Sequence, residues 1–421
     1  MKVCILTLGC KVNYYESEVI KGLFINNGYK SSELEDNPDV IVINTCTVTN
    51  QSDAKSRKVI RNAKRKNPNA IIVACGCSSQ HHKEELLPLG IDILIGNKDK
   101  TKIVDYVNEF KKNKTQIVKF YDLMKTDFEN MEIQNYYERT RAFVKIQDGC
   151  NNYCAYCIIP YMRGTIRNKD FKTAVSEIKN LTEEGFKEIV LTGIHTGSYP
   201  RLSELIHEIS KFDKLERIRI SSIEITEIND EFLNELKNNT KICNHLHIPI
   251  QSGSDEVLKK MNRKYDIKRY LEIVKSIRNI RPDINLTTDL IVGFPTETED
   301  NCTETIMNLK KIGFGKIHTF PYSKRDGTIA AKMKNIVSDT EKTKRTHIIL
   351  NLSDELEGKY YKQFLNKNLD VLIEEIGPDY SIGHTSNYIK VIINEKLKHN
   401  EIYNCKIKEV NGICVKGIVN K

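Results

Sequence analysis

The segment Cys150-Asn151-Asn152-Tyr153-Cys154-Ala155-Tyr156-Cys157 carries three cysteines at C-x3-C-x2-C spacing within one short loop. Three thiolates this close in sequence converge on one face of an iron–sulfur cluster and leave its fourth iron without a protein ligand from the loop. An open iron of that kind accepts a small chelating molecule, as open coordination positions do in catalytic metal sites. A structural zinc site needs a fourth ligand, and the loop offers none. Residues 142–146, just upstream, form an apolar run that reads as a buried strand, which puts the loop at a strand's C-terminal end.

Working outward from this loop, strand and helix patterns alternate to about residue 350. Strands are predicted at 142–146, 188–192, 217–221, 245–248, 285–292 and 316–320, and helices at 171–184, 202–211, 230–238, 255–261, 267–280 and 299–312. Six βα repeats predict a partial TIM-like (β/α)6 barrel with the cysteine loop at its C-terminal mouth, where barrel active sites lie. Toward the N-terminus, buried strands at 3–8, 40–43, 70–74 and 91–95 alternate with helical segments at 16–26, 53–66 and 100–110, which predicts an α/β domain with a doubly wound parallel sheet. Residues 114–138 are polar and poorly periodic and read as a linker. The tail carries short β-rich runs at 368–374, 388–393, 402–409 and 412–419, separated by turn residues such as Gly377-Pro378-Asp379, and predicts a small antiparallel β-barrel. The domains are therefore expected at 1–113, 136–356 and 357–421.

Composition narrows the class. No stretch approaches the roughly 18–20 apolar residues that span a bilayer. The N-terminus runs straight into a strand pattern with no signal-peptide architecture, so a cytoplasmic protein is expected. A net charge of +9 permits nucleic-acid binding without requiring it. Twelve cysteines in a chain of this kind point to metal or chemistry rather than disulfides. Beyond the loop, Cys10, Cys46 and Cys77 each fall just after a predicted parallel strand, and strand carboxyl ends share one edge of a doubly wound sheet. They form either a second cluster site or three buried thiols. Gly9 and Gly76 precede two of them, which allows close backbone approach to a bulky group. Cys4, Cys75, Cys243, Cys302, Cys405 and Cys414 read as structural.

Together these features resemble the methylthiotransferases, radical S-adenosylmethionine (SAM) enzymes with two iron–sulfur clusters. The resemblance rests on Thr7-Leu8-Gly9-Cys10-Lys11-Val12-Asn13, Asn44-Thr45-Cys46-Thr47-Val48-Thr49, Gly76-Cys77, Asp148-Gly149-Cys150 through Cys157, Ile158-Ile159-Pro160 and Arg163-Gly164. It extends through Leu191-Thr192-Gly193, Ser221-Ser222-Ile223-Glu224, His247 through Gly253 and Asp289 through Thr298, and it covers essentially the whole chain. Ser78-Ser79 and Ile166-Arg167 depart from the family's usual residues.

The resemblance implies two 4Fe–4S clusters, one on Cys150, Cys154 and Cys157 and one on Cys10, Cys46 and Cys77. It implies SAM held near Tyr156, Thr192, Gly193, Ser221, Glu224 and Gln251, with SAM as both methyl donor and radical source. It further implies an electron donor such as flavodoxin or ferredoxin, and a C-terminal RNA-binding barrel of the TRAM type in which Tyr388 stacks on a base. The substrate branch it most resembles methylthiolates C2 of N6-threonylcarbamoyladenosine beside the anticodon of tRNA. Isopentenyladenosine, a ribosomal-protein aspartate, and a non-enzymatic iron–sulfur RNA-binding or electron-transfer role are the alternatives. The basic run Lys55, Arg57, Lys58, Arg61, Lys64, Arg65 and Lys66 reads equally as a phosphate-binding face or a solvated one. His195 and His247 read as structural histidines.

Overall fold

The computed structural model describes residues 1–133 and 140–420; the last part of the expected linker, 134–138, lies outside them. The N-terminal region is one parallel sheet of β1 (Lys2–Thr7), β2 (Lys30–Ser31), β3 (Val40–Thr45), β4 (Ile71–Gly76), β5 (Ile93–Ile95) and β6 (Ile117–Lys119), in the order β2-β1-β3-β4-β5-β6. Every residue of β3 and β4 is buried, as expected of strands covered on both faces. Helices α1 (Lys11–Asn26) and, later in the chain, α5 (Ile103–Asn113) cover one face through Ile20, Phe24, Ile103 and Val107. Helix α2 (Asn50–Lys66) covers the other through Ile60 and Ala63, with α3 (Cys77–His81) and α4 (Lys83–Leu86) after β4. The stretch read as a linker contributes the edge strand β6, and Leu123, Met131 and Ile133 beyond it are buried.

The second region supplies β7 (Arg141–Lys145), the small ribbon β8 (Gln147–Asp148) and β9 (Arg167–Asn168), then β10 (Glu188–Thr192), β11 (Arg217–Ile220), β12 (His245–His247), β13 (Asn285–Val292) and β14 (Lys316–Pro321). The six parallel strands β7 and β10–β14 lie where they were expected. They form two three-stranded sheets, β11-β10-β7 and β12-β13-β14, joined by the isolated bridge Ile218–Ile242. Outside them lie α6 (Ile159–Arg163), α7 (Phe171–Glu183), α8 (Leu202–Ser210), α9 (Asp230–Asn238), α10 (Asp255–Lys260), α11 (Ile267–Ile280) and α12 (Glu299–Ile312). Side-chain caps start several of them: Asp170 accepts from Thr173 N, Asn229 from Phe232 N and Asp266 from Arg269 N. A 24-residue helix, α13 (Asp339–Lys362), which the sequence reading lacks, packs on β14 and leads to the last domain.

That domain is a closed barrel of β15 (Asn368–Ile376), β16 (Ser381–Thr385), β17 (Lys390–Ile393), β18 (Ile402–Asn411) and β19 (Cys414–Val419). All its pairings are antiparallel except β17 with β19. Among the described residues no helix is long and apolar enough to cross a membrane.

Candidate active site

Strand β1 ends at Thr7, two residues before Gly9-Cys10, β3 runs into Cys46, and Cys77 opens α3 directly after β4. The strand order reverses between β1 and β3, which makes the crevice at their carboxyl ends the natural site of the domain. Gly9 and Gly76 have φ of +107° and +99°. A Cβ on Gly9 would lie 2.9 Å from both Cβ and Sγ of Cys46, and one on Gly76 would lie 2.5 Å from the Thr45 carbonyl. Both positions thus need glycine for conformation and for space. Cys10 is exposed and Cys46 buried, and burial, reinforced by the neighbouring Cys77, pushes the Cys46 thiol up to about 11.

Cys77 has polar company: Asn97 Nδ2 donates to its Sγ at 3.4 Å and Arg163 Nε at 3.2 Å. Arg163 is fully buried, and its other nitrogens reach Asn13 Oδ1 (2.7 Å), Glu16 Oε1 (3.0 Å) and Asp148 Oδ1 (3.1 Å). Lys100 bonds Glu16 at 2.7 Å, and Lys145 reaches Glu16 at 3.1 Å and Asp148 at 3.3 Å. Burial alone would raise the Glu16 and Asp148 carboxyls, but Arg163 and the lysines hold both far below the usual carboxylate range. Three cations therefore face two carboxylates, and the surplus positive charge lies against Cys10 and Cys77. Glu16 and Lys100 belong to the N-terminal domain and the other three ions to the barrel, so the network is also the seam between them.

The cysteine loop leaves β7 through β8. Cys157 N donates to Cys154 O at 2.9 Å, and Ala155 N to Met261 O at 2.9 Å, which folds the loop over the barrel mouth. Burial, with Cys154 and Cys150 nearby, raises the Cys157 thiol to about 12. Arg263 Nη1 donates to Cys154 Sγ at 3.2 Å while Nη2 pairs with Glu224, and the guanidinium lies beside Tyr156. Thr192 ends β10 with Gly193 next, Ser221 follows β11, and Gln251 (φ +62°) follows β12 and bridges to Leu290. All six residues expected around SAM thus lie at the carboxyl rim with the loop, and Glu224 and Tyr156 are tied to it through Arg263.

His195 is not a bystander. Its Nε2 pairs with Glu227 at 2.5 Å beside the Cys150 thiol; burial would lower its pKa, yet these partners raise it to about 10. His247 bonds Thr287 Oγ1 at 2.9 Å. Cys75 is fully buried in an apolar cluster under the sheet. Tyr388 corrects an expectation. Its ring is not available to an RNA base: it stacks between His245 (5.1 Å) and His384 (4.8 Å), with Arg219 and Arg141 over it at 4.6 and 5.0 Å.

Comparison with known proteins agrees with this geometry. Residues 144–309 match the radical SAM superfamily, and residues 2–96 match an uncharacterised protein family, UPF0004. The threonylcarbamoyladenosine tRNA methylthiotransferase MtaB of Bacillus subtilis is 42% identical over 400 residues, 92% of this chain and 89% of that protein. The MtaB of Aquifex aeolicus is 38% identical over 382 residues, covering 89% and 93%. The chain belongs to the radical SAM methylthiotransferase family. Within it, a tRNA-2-methylthio-N(6)-dimethylallyladenosine synthase of Clostridium botulinum is 35% identical over 430 residues, covering 98% of this chain and 95% of that one. Among solved structures, the radical SAM methyltransferase TsrM of Kitasatospora setae, determined with cobalamin and a 4Fe–4S cluster, shares the fold at TM-score 0.58 and 12% identity, covering 76% and 74% of the two chains.

Membership in a radical SAM family of methylthiotransferases makes this an enzyme that uses SAM and an iron–sulfur cluster. The donor set fits: the loop presents three thiols, and Arg263 donates a hydrogen bond to the sulfur of one of them. No three His, Cys, Asp or Glu side chains among the described residues gather closely enough to hold a single ion. In a cluster each thiolate takes its own iron, so the donors stand farther apart. Arg163, Arg263, Glu16 and Asp148 escaped the sequence reading as site residues, because an isolated charge shows no partner until the fold supplies it. Arg163 and Asp148 were visible only as neighbours of the loop.

Proposed function

We propose that this methylthiotransferase adds a methylthio group to C2 of N6-threonylcarbamoyladenosine next to the tRNA anticodon, in the cytoplasm, using two 4Fe–4S clusters. Cys150, Cys154 and Cys157 would hold the cluster that binds SAM, and Cys10, Cys46 and Cys77 the second. The observation that carries the two-cluster reading is Arg163, which bonds Cys77 and, through Asp148, the turn that starts the cysteine loop. The surplus positive charge around Arg163 suits an anionic thiolate cluster and would be uncompensated against three neutral thiols. The substrate reading is supported by the names of the Bacillus and Aquifex relatives.

The bound clusters supply the electron that cleaves SAM and the sulfur that is transferred, chemistry that the non-acidic C2–H of adenine requires. The protein's own residues set the stage. Arg263, fixed by Glu224, donates to Cys154 and orients the loop. Tyr156, Thr192, Gly193, Ser221, Glu224 and Gln251 form the rim on which SAM would lie. Protonated His195, oriented by Glu227, places positive charge against Cys150. Arg325 ties the far side of the crevice together across the two domains, bonding Thr47 Oγ1 and Asp53 at 2.7 Å each and Asn50 at 2.5 Å. A flavodoxin or ferredoxin would deliver the electrons.

The test is nucleoside mass spectrometry on tRNA from a host stripped of its own methylthiotransferases and given this gene. The 2-methylthio-threonylcarbamoyl nucleoside is expected, and Cys46→Ala is expected to abolish it while SAM cleavage persists. Appearance of the dimethylallyl counterpart instead would overturn the substrate. Full turnover by Cys46→Ala would overturn the second cluster.

A further inference from the structure

The inner face of the barrel is polar where a packed barrel would be apolar. Alternate residues along β11, β12 and β13 put Arg219, His245, His247, Asn285, Thr287 and Asp289 around a half-open cavity of about 490 Å³. Lys11, the residue after Cys10, forms one wall of this cavity, and His384, Tyr388 and Lys390 of the C-terminal barrel form another. The cavity therefore begins beside the second set of cysteines and runs into the core.

Three buried atoms on its walls have no hydrogen-bond partner among the described residues: Arg219 Nη1, His245 Nδ1 and Asn285 Oδ1. Their residues are 3%, 6% and 2% exposed and the atoms themselves are closed to a water-sized group, so each costs stability as it stands and meets a ligand only when its side chain turns into the cavity. The acids nearby are committed, Glu188 to Nε and Nη2 of Arg219 (2.6 and 3.4 Å), which leaves Nη1 of that guanidinium, Glu357 to Lys316 (2.5 Å) and Tyr361 (2.6 Å), and Asp289 to His247 (3.4 Å). Lys11 and Lys390 form no ion pair among the described residues. What the cavity lacks is an anion with a hydroxyl or amide beside it. We infer that it is the specificity pocket for the N6 substituent of the adenosine, with the threonyl carboxylate taken by Lys11 and Arg219 and its polar neighbours by Asn285 and His245.

This rests on the threonylcarbamoyladenosine reading, and it gives that reading a physical basis separate from the relatives' names. C2 and C6 both flank N1 and their outward bonds diverge, so a base with C2 at the clusters places its N6 group to one side of them. A dimethylallyl group in this cavity would strip water from Arg219 and Lys11 and return no hydrogen bond, which is a strong ground for rejection.

The experiment uses the full chain with its clusters reconstituted and two anticodon stem-loops. One carries threonylcarbamoyladenosine, and the other carries the same nucleoside with its carboxylate converted to a carboxamide. Wild type is expected to prefer the acid in kcat/KM by on the order of 10- to 100-fold, the worth of a charge-assisted hydrogen bond. Lys11→Gln is expected to cut that preference about tenfold and Lys11→Arg to retain it. Asn285→Asp, on the wall away from Cys10, should lower turnover of the acid far more than of the amide by placing like charge in the pocket. Because each readout is a ratio within one protein, a variant that folds or loads poorly still reports. An acid-to-amide ratio equal in wild type, Lys11→Gln and Asn285→Asp would overturn the pocket and leave the substrate reading standing. Wild type acting only on a dimethylallyladenosine stem-loop would overturn both.

Discussion

Glu188 is a fully buried carboxylate facing three arginines: Arg219 Nε at 2.6 Å, Arg141 Nε at 3.1 Å and Arg217 Nη1 at 3.6 Å. Burial alone would raise its pKa, but Arg219 and Arg141 outweigh that and hold it down to about 2, against an ordinary 4.5. The sign of the pH effect follows. A carboxylate whose folded pKa is depressed contributes stability that is complete above its unfolded pKa and is lost as pH falls through the folded one. Urea-unfolding midpoints should therefore drop progressively between about pH 4.5 and pH 2, with Glu188 contributing to the slope. Glu188→Gln should remove that contribution and cost about 3–5 kcal/mol near neutral pH, because it leaves buried guanidinium groups unpaired. Unchanged midpoints at pH 7 would mean that the arginines find other partners. Arg163 follows the same rule with its sign reversed: it is a buried cation whose partners are carboxylates and a cysteine thiol.

Helix α2 shows how a single element divides its labour. Asp53, Ser56, Ile60 and Ala63 are buried, and Lys55, Lys58, Arg61 and Arg65 project to solvent along a shallow groove. Arg57 and Lys66 are neutralised by Glu85 and Glu35, whereas Lys55, Lys58 and Arg61 have no ion-pair partner among the described residues. That pattern favours the phosphate-binding face over the merely solvated one. Lys58→Gln with Arg61→Gln should weaken binding of any tRNA, modified or not, and reduce the slope of log K against log salt by roughly 0.7–0.9 per lost phosphate contact. An unchanged salt slope would return the helix to solubility. Legibility at this scale followed local pattern. Strands β3 and β4 were readable from the apolar runs 40–43 and 70–74, and Cys10, Cys46 and Cys77 because each follows such a run. Helix α1 starts at Lys11, ahead of the expected 16, because its N-cap is Cys10 without a side-chain cap and no capping signal precedes it. Strand β16, Ser-Ile-Gly-His-Thr, was missed for want of apolar residues, and α13 because Arg345, Ser353 and Glu357 stand on its buried side. The cavity had left a trace in Arg-Ile-Arg-Ile and His-Leu-His, where a period of two puts charge on the face that a packed barrel would fill with apolar side chains.

In the whole molecule, the C-terminal barrel is built into the catalytic core. Arg217 donates to the carbonyls of His384 (3.0 Å) and Asp370 (2.7 Å), Asn285 Nδ2 to Asn387 O (2.8 Å), and Asn244 N to Ser386 Oγ (2.9 Å). The loop between β16 and β17 thus closes the bottom of the open parallel barrel, with Tyr388 as its stopper. The arginines that hold Glu188 also satisfy that loop's backbone. A domain tethered only to recruit RNA would be removable without consequence for the strands above it, whereas a plug would not be. Ending the chain at Lys362 should leave Arg217, Arg219 and Asn285 without these partners and open the cavity floor to water. Amide hydrogen exchange in β7, β10 and β11 of the truncated chain should then accelerate by at least about tenfold, consistent with loss of a few kcal/mol of local stability, while β3 and β4 remain protected. Equal protection in the full and truncated chains would show that the C-terminal barrel is an independent module. The coupling implied by the intact plug, from Tyr388 through Arg219 to Lys11 and the cysteines beyond it, would then have to be abandoned.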